Sequence, residues 1–140
     1  RLNGIEPLQV TKADDLVVSA GTTLLINQIL GASVTRWRYM AMGSGTTAVS
    51  AGQTALVTLQ MFADMSIDGW REYAGATLRF AGIFGETTST TVVITEAGVF
   101  TGAGSGTMLN RNMFSNAPFT YQVDLTGVVI SSIIDFVPIV

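Results

Sequence analysis

Apolar and polar residues alternate along short stretches of the chain, and segments rich in glycine, serine and threonine separate these stretches. From Arg36 to Met42, the side chains of Trp37, Tyr39 and Ala41 fall on one side of the alternation. Because successive side chains of a β-strand point to opposite faces, this pattern predicts a strand. The same reasoning predicts further strands over Leu56–Met61, Tyr73–Phe84, Val92–Phe100, Thr107–Phe114, Phe119–Leu125 and Val128–Val137.

The predicted strands are joined by segments that favour chain reversal. Gly102-Ala103-Gly104-Ser105-Gly106 separates two of them and predicts a hairpin, and Gly43 to Gly52 predicts a loop. Roughly six or more strands with a turn about every ten residues are typical of an antiparallel β-sandwich or barrel. We therefore expect a mainly β, jelly-roll-like fold without an internal repeat.

One segment has the spacing of a helix. Ser19 to Gly31 begins with a possible N-cap serine, places Leu24, Leu25 and Ile29 at helical intervals, and ends at a glycine. The alternative is a strand, because Thr22, Thr23 and Ile26 are β-branched. We expect one short N-terminal helix, an extended arm over residues 1–18, and a single β domain over residues 19–140.

Ionic and reactive side chains are scarce. Charged residues make up 12% of the chain, against about 25% in typical globular domains. The chain contains no cysteine and no histidine, and Lys12 is its only lysine. Short uncharged polar side chains lose little conformational entropy when they are covered, and exposed lysines commonly protect sheet edges. This composition therefore favours a surface that is buried against other subunits.

The same composition argues against several classes of function. Without histidine and cysteine, the chain lacks the usual general base, the commonest metal ligand and any disulfide. A net charge of −3 is unfavourable for nucleic acid or anionic membranes, and no apolar run approaches the roughly 18 residues of a transmembrane helix. We expect no enzyme activity, no cofactor, no metal site, no nucleic-acid partner and no membrane partner.

A few residues could still carry chemistry. Asp64, Asp68 and Glu72 would share a face if their segment were helical, as glycoside hydrolysis with paired carboxylates would require. Asp14-Asp15, or Asp64 with Asp68, supply oxygen ligands for calcium but lack the calcium-loop spacing. Solvated loop acids are the favoured interpretation. Two further possibilities are phosphate binding by the glycine-rich segments and sugar stacking on Trp37, Tyr39, Trp70 and Tyr73.

Both ends of the chain are unexpectedly apolar. Chain ends are normally polar and loose unless a sheet or a partner holds them. A buried C-terminal strand would explain this, and so would a strand passed to a neighbouring subunit. The apolar residues of both chain ends, together with Trp37 and Tyr39, form the predicted subunit interface. Its members are Leu2, Ile5, Leu8, Val10, Trp37, Tyr39, Phe136, Val137, Ile139 and Val140.

Three blocks of the chain resemble small structural proteins of tailed-phage virions, which are described as tail-fibre, head-fibre or decoration components. The first block is Tyr39 to Ala48 (YMAMGSGTTA), followed by Ala51 to Leu56 (AGQTAL). The others are Ile94 to Phe100 (ITEAGVF) and Gly106 to Phe114 (GTMLNRNMF). Met40, Met42 and the apolar C-terminus depart from the family pattern.

The resemblance implies a structural role in the virion and brings no catalytic residue or cofactor. We expect a capsid decoration or cement protein that binds and stabilises the assembled phage head. Its expected partners are copies of itself, in a trimer, and the major capsid protein or other virion proteins. The alternative is a tail-fibre or baseplate module that binds a host glycan or receptor.

Overall fold

A computed structural model describes residues 14–75, 77–84, 92–103, 105–114, 119–121 and 128–135. The described residues form one helix and eleven strands, and every strand pairing is antiparallel. In chain order the elements are β1 (Asp14–Val17), α1 (Ser19–Ile29), β2 (Tyr39–Gly43), β3 (Leu59–Asp64), β4 (Gly69–Ala74), β5 (Thr77–Phe84), β6 (Val92–Ile94), β7 (Glu96–Gly102), β8 (Ser105–Met108), β9 (Asn110–Met113), β10 (Phe119–Tyr121) and β11 (Val128–Asp135).

Two sheets enclose the main core. Five strands of the larger sheet follow the order β1-β9-β7-β2-β3, and β8 pairs with β7; the three-stranded sheet, here called the smaller sheet, has the order β11-β5-β4. The remaining described strands, β10 and β6, pair with each other in a separate two-stranded sheet. Met40 and Met42 of β2 belong to the same buried cluster as Phe80 and Phe84 of β5. The predicted sandwich-like, mainly β class is confirmed. The barrel alternative is wrong, because the described strands do not form a closed sheet.

The predicted helix is confirmed, although its start differs from the prediction. Val18 is the N-cap residue and makes no side-chain capping bond, so Ser19 is already helical. The strand alternative fails because Thr22 and Thr23 place their hydroxyls within 3.3 and 3.0 Å of the carbonyl oxygens four residues earlier. This back-bonding satisfies the threonine hydroxyls inside a helix. No helix among the described residues is long and apolar enough to cross a membrane.

The helix lies directly on the backbone of the larger sheet. An added Cβ at Gly21 would lie 2.4 Å from the carbonyl oxygen of Leu109. We expect Gly21→Ala to lower the free energy of unfolding by about 1–3 kcal/mol, the usual range for overpacking. Urea unfolding measures this loss. Ala20→Gly is the control that leaves this contact intact, and equal stability of Gly21→Ala and the wild type would contradict the close approach.

Several predicted strand boundaries are wrong. Tyr73–Phe84 is not one strand, because Gly75 adopts a φ of +60° that favours glycine and reverses the chain between β4 and β5. The predicted strand Val92–Phe100 is divided at Thr95, and Leu56–Met61 is displaced to β3. The predicted hairpin at residues 102–106 is confirmed by the pairing of β7 with β8.

The end of the predicted N-terminal arm is part of the larger sheet. Asp14 to Val17 form β1, which pairs with β9, and Val18 is fully buried. Val18 belongs to a second buried cluster together with Ala41, Leu56, Phe100 and Met108. Met40 and Ala41 therefore point into different clusters, which explains why β2 is buried on both faces.

Candidate interaction surface

A buried ion pair holds the long loop that follows β2. Arg111 Nε lies 2.7 Å from Glu96 Oε2, and both side chains are fully buried. Glu96 also accepts hydrogen bonds from the backbone N–H groups of Gly45, Val57 and Thr58, at 2.8–3.0 Å. The glycine-rich segment at residues 43–45 thus directs an amide towards an internal carboxylate, and this geometry gives no support to a phosphate site there.

The surroundings of Glu96 favour its ionised form. Burial alone would raise the pKa of Glu96, but the backbone donors of Thr58, Val57 and Gly45, together with Arg111, lower that pKa below its usual value. Arg111 Nη1 donates to the carbonyl oxygen of Thr47 at 2.7 Å. One feature of the sequence marks this pair, since both charged residues interrupt otherwise apolar or uncharged blocks. It did not indicate that they would meet.

The predicted carboxylate trio does not form a catalytic arrangement. Asp64 ends β3, Asp68 lies in the following turn and Glu72 lies on β4, so the condition of a shared helical face is not met. Asp64 accepts hydrogen bonds from Arg38 and Ser66, which lower the pKa of its carboxyl group. A carboxyl held ionised in this way is unsuited to act as a general acid. Among the described residues, no cluster of acidic side chains suits a metal ion.

Only two residues of the predicted subunit interface are described. Trp37 is 7% exposed and belongs to the main core, where its Nε1 donates to Gln28 Oε1 at 3.0 Å. Tyr39 is half-buried and packs edge-to-face on Phe62, with ring centroids 6.0 Å apart. The other eight residues, Leu2, Ile5, Leu8, Val10, Phe136, Val137, Ile139 and Val140, lie outside the described residues.

A groove, here called the α1–β4 groove, lies between the helix and the smaller sheet. It has a volume of about 810 Å³ and is largely open to solvent. Trp37 lies at the base of the groove and is held by two hydrogen bonds. Its Nε1 donates to Gln28 Oε1, and its carbonyl oxygen accepts from Arg71 Nη1. The complete lining comprises Leu25, Gln28, Ile29, Ser33, Val34, Thr35, Arg36, Trp37, Arg71, Glu72, Tyr73, Leu78 and Phe80.

The rim of this groove is apolar and open to solvent. Ile29 is 78% exposed, Val34 is 92% exposed and Tyr73 is 80% exposed. Arg36 and Arg71 add positive charge, and Glu72 adds one negative charge. The groove can therefore accept apolar side chains or an aromatic ring next to a negatively charged group.

A second apolar surface, here called the outer sheet face, covers the solvent side of the smaller sheet. An added Cβ at Gly82 would lie 2.6 Å from Met40 Cβ, so Gly82 faces the larger sheet and its neighbours in β5 face away. Residues opposite each other in antiparallel strands share a face. Among residues whose side chains are described, the outer sheet face therefore comprises Trp70, Glu72, Thr77, Arg79, Ala81, Ile83, Val129, Ser131 and Ile133.

Large apolar side chains on the outer sheet face are incompletely buried. Trp70, Ile83, Val129 and Ile133 are 39–55% exposed. The predicted grouping of Arg79, Ala81 and Ile83 on one face of β5 agrees with this arrangement. Monomeric proteins rarely expose large contiguous apolar patches unless the patches have a function.

Comparisons with protein-family models, with curated proteins and with solved structures find no match for this chain.

Proposed function

We propose that this chain is a non-catalytic structural subunit that acts by packing against other proteins, as a decoration protein on the head of a tailed phage. The observation that carries the proposal is the exposure of large apolar side chains on the α1–β4 groove and the outer sheet face. A chain with few charged residues loses little hydration of ionic groups when such surfaces are covered. The resemblance of residues 39–56, 94–100 and 106–114 to virion proteins supports the location.

The proposed mechanism is thermodynamic. A protein that binds only the assembled shell stabilises that state by mass action, and repetition over many identical sites multiplies a modest contact. The α1–β4 groove offers its exposed apolar rim to apolar side chains of the capsid protein. The trimer expected from the sequence remains part of the proposal, with the apolar chain ends as its contacts.

Antibody labelling of phage particles that carry the chain, viewed by electron microscopy, tests the location. Label spread over the head supports decoration, and label confined to the tail supports the fibre or baseplate alternative. Unlabelled particles would overturn both. Val34→Lys at the groove rim should weaken binding to particles, whereas Leu59→Lys, a comparably apolar site on the larger sheet, serves as the control.

Attachment to particles should be insensitive to mild acid and to reductant. The chain has neither histidine nor cysteine, and carboxyl groups remain ionised at pH 5.5. We expect the particle-bound fraction, measured by sedimentation, to be the same at pH 8, at pH 5.5 and with reductant. Release under either condition from particles whose capsid protein is unchanged would contradict contacts made by this chain.

The glycan-binding alternative has one favourable observation. Trp70 is 45% exposed and Tyr73 is 80% exposed, and both lie on β4. Their registers place them on opposite faces of the sheet, so they do not form one stacking platform. Host adsorption that is lost in Trp70→Ala or Tyr73→Ala, with particle stability unchanged, would favour this alternative over decoration.

A further inference from the structure

We infer that the α1–β4 groove binds a segment of another protein in which apolar side chains lie next to a carboxylate, and that Arg36 and Arg71 recognise this carboxylate. The inference rests on the proposed function, under which the segment belongs to the capsid protein. It deepens that function by specifying the chemistry of the bound segment and the two residues that select it.

Arg36 and Arg71 are the described arginines that lack an acidic partner. Three of the five described arginines form ion pairs, which are Arg38–Asp64, Arg79–Glu72 and Arg111–Glu96. Arg36 and Arg71 form no ion pair with any described residue, and both line the groove. In a chain with only 12% charged residues, these two cations give the groove a local attraction for an anionic group.

The acid among the described lining residues does not neutralise these arginines. Glu72 and Arg71 are neighbours on β4, so their side chains point to opposite faces of the smaller sheet. Glu72 instead lies opposite Arg79 in the register, and its Oε1 lies 3.7 Å from Arg79 Nη1. The positive charge of Arg71 is therefore not compensated by any described residue.

A hydrogen bond holds Arg71 at the groove. Its Nη1 donates to the carbonyl oxygen of Trp37 at 3.0 Å, which uses one of the five N–H donors of the guanidinium. A planar guanidinium matches a carboxylate through two parallel hydrogen bonds. Because the side chain is already ordered, binding a carboxylate costs less conformational entropy than it would at a free arginine. Arg36 adds a second cation to the same groove.

The rim of the groove requires apolar side chains beside that carboxylate. Ile29, Val34 and Tyr73 are 78–92% exposed, and α1 contains no charged residue. A protein segment that covers these side chains removes apolar surface from water, whereas a small inorganic anion would leave them exposed. Exclusion of water also strengthens the attraction between a guanidinium and a carboxylate. A segment with both properties is therefore the best match to the groove.

Nucleic acid is a poorer occupant than a protein segment. Binding of a polyanion depends on many lysine and arginine contacts to phosphates, and this chain has a net charge of −3. A second copy of the chain also presents an apolar side chain beside an acid, since Ile67 is 76% exposed and precedes Asp68 in the turn between β3 and β4. Self-association is therefore measured as a separate outcome.

Selection of random short peptides from a displayed library, with the whole chain as bait, tests the chemistry of the segment. We expect the selected peptides to share an aspartate or glutamate next to an apolar residue. This enrichment should be lost on Arg36→Gln/Arg71→Gln and kept on Arg38→Gln, which removes an exposed arginine that does not line the groove. No enrichment, enrichment without an acid, or enrichment that the double variant retains would overturn the inference.

Fluorescence anisotropy with one labelled peptide from this selection measures the contribution of each arginine. We expect Arg36→Gln to weaken binding about threefold to tenfold, as for charged hydrogen bonds that are partly exposed. Arg71→Lys should bind more weakly than the wild type but more tightly than Arg71→Gln, because lysine keeps the charge and loses the planar fork.

A double-mutant cycle tests whether the arginines contact the carboxylate of the peptide. Replacement of the peptide's acid by its amide should weaken binding to the wild type, with little further effect on Arg36→Gln/Arg71→Gln. If the two losses are additive, the arginines and the carboxylate do not pair. Val34→Ser, which changes no charge, should also weaken binding, because it removes apolar surface from the rim.

Three further measurements identify other occupants, and each positive result would contradict the inference. Displacement of the peptide by millimolar inorganic phosphate at constant ionic strength would indicate a site for a free anion. Sedimentation equilibrium that shows self-association lost in both Asp68→Asn and Arg36→Gln would assign the groove to a second copy. Peptide binding that occurs only after deletion of residues 136–140 would assign it to the chain's own end.

These results separate the inference from the proposed function. If antibody labels phage heads but the selected peptides carry no acid, the groove assignment fails and the structural role stands. If the peptides carry an acid and depend on Arg36 and Arg71, but no particle is labelled, the structural role in the virion fails and the groove assignment stands.

Discussion

Replacement of Arg111 with methionine is expected to lower the free energy of unfolding by about 3–5 kcal/mol, the usual cost of removing one partner of a buried ion pair. The variant leaves the carboxylate of Glu96 buried without its cation, although three backbone N–H groups still donate to it. It also removes the donor to the carbonyl oxygen of Thr47. Urea unfolding with a common m-value measures the loss.

Two variants make this prediction specific. Glu72→Gln removes the acid of the exposed pair with Arg79 and should change stability by less than about 1 kcal/mol. The double variant Glu96→Gln/Arg111→Met should lose less free energy of unfolding than the two single variants lose together. In the double variant, neither residue is left buried with an unpaired charge. If the stability loss of the double variant equals the sum of the two single losses, the two side chains do not interact energetically.

The same pair predicts how stability depends on pH. The folded-state pKa of Glu96 lies below its ordinary value, so the ionised carboxylate contributes stability above the unfolded-state pKa, near 4.5. That contribution is lost as the pH falls through the folded-state value. Between pH 5 and pH 2, the unfolding free energy of Glu96→Gln should therefore decline less steeply than that of the wild type.

The local pattern of side chains was sufficient to predict the strands but not where the chain reverses. In the sequence, Gly75 lies between Tyr73, Ala74 and Ala76, so no cluster of polar turn residues separates β4 from β5. Only the left-handed conformation of Gly75 marks the turn, and a sequence does not reveal that conformation. The class of fold was therefore predictable, whereas the division into hairpins required the structure.

The Glu96–Arg111 pair illustrates what a sequence pattern omits. In an alternating strand, an isolated charged residue normally points to solvent, so both residues would be assigned to an exposed face. They are buried because the loop at residues 44–58 folds over them and supplies backbone donors. That covering depends on contacts more than thirty residues apart in the chain.

The candidate surface was only partly predictable for a related reason. The sequence indicated correctly that Ile83 and Arg79 share a face of β5, but not that Val129 and Ile133 continue the face on β11. Strand order in a sheet depends on contacts between distant segments. Trp37 was predicted at a subunit interface, and the structure places its ring in the main core.

Trp37→Ala is expected to lower the free energy of unfolding by about 3–5 kcal/mol, as is typical for removal of a large buried aromatic side chain. Trp37 is 7% exposed, packs within the main core and donates from Nε1 to Gln28. Trp70→Ala should cost less than Trp37→Ala, because the ring of Trp70 is 45% exposed and buries less apolar surface. Urea unfolding followed by circular dichroism measures both without relying on tryptophan fluorescence.

The comparison of the two tryptophans separates folding from binding. If Trp37→Ala weakens particle binding, the loss should follow its unfolded fraction and should be recovered at low temperature or in the more conservative Trp37→Phe. Trp70→Ala should weaken particle binding while its unfolding curve shifts less than that of Trp37→Ala. Equal destabilisation by both variants would mean that the outer sheet face is already covered within the folded chain, and another protein would then have no apolar surface there to bury.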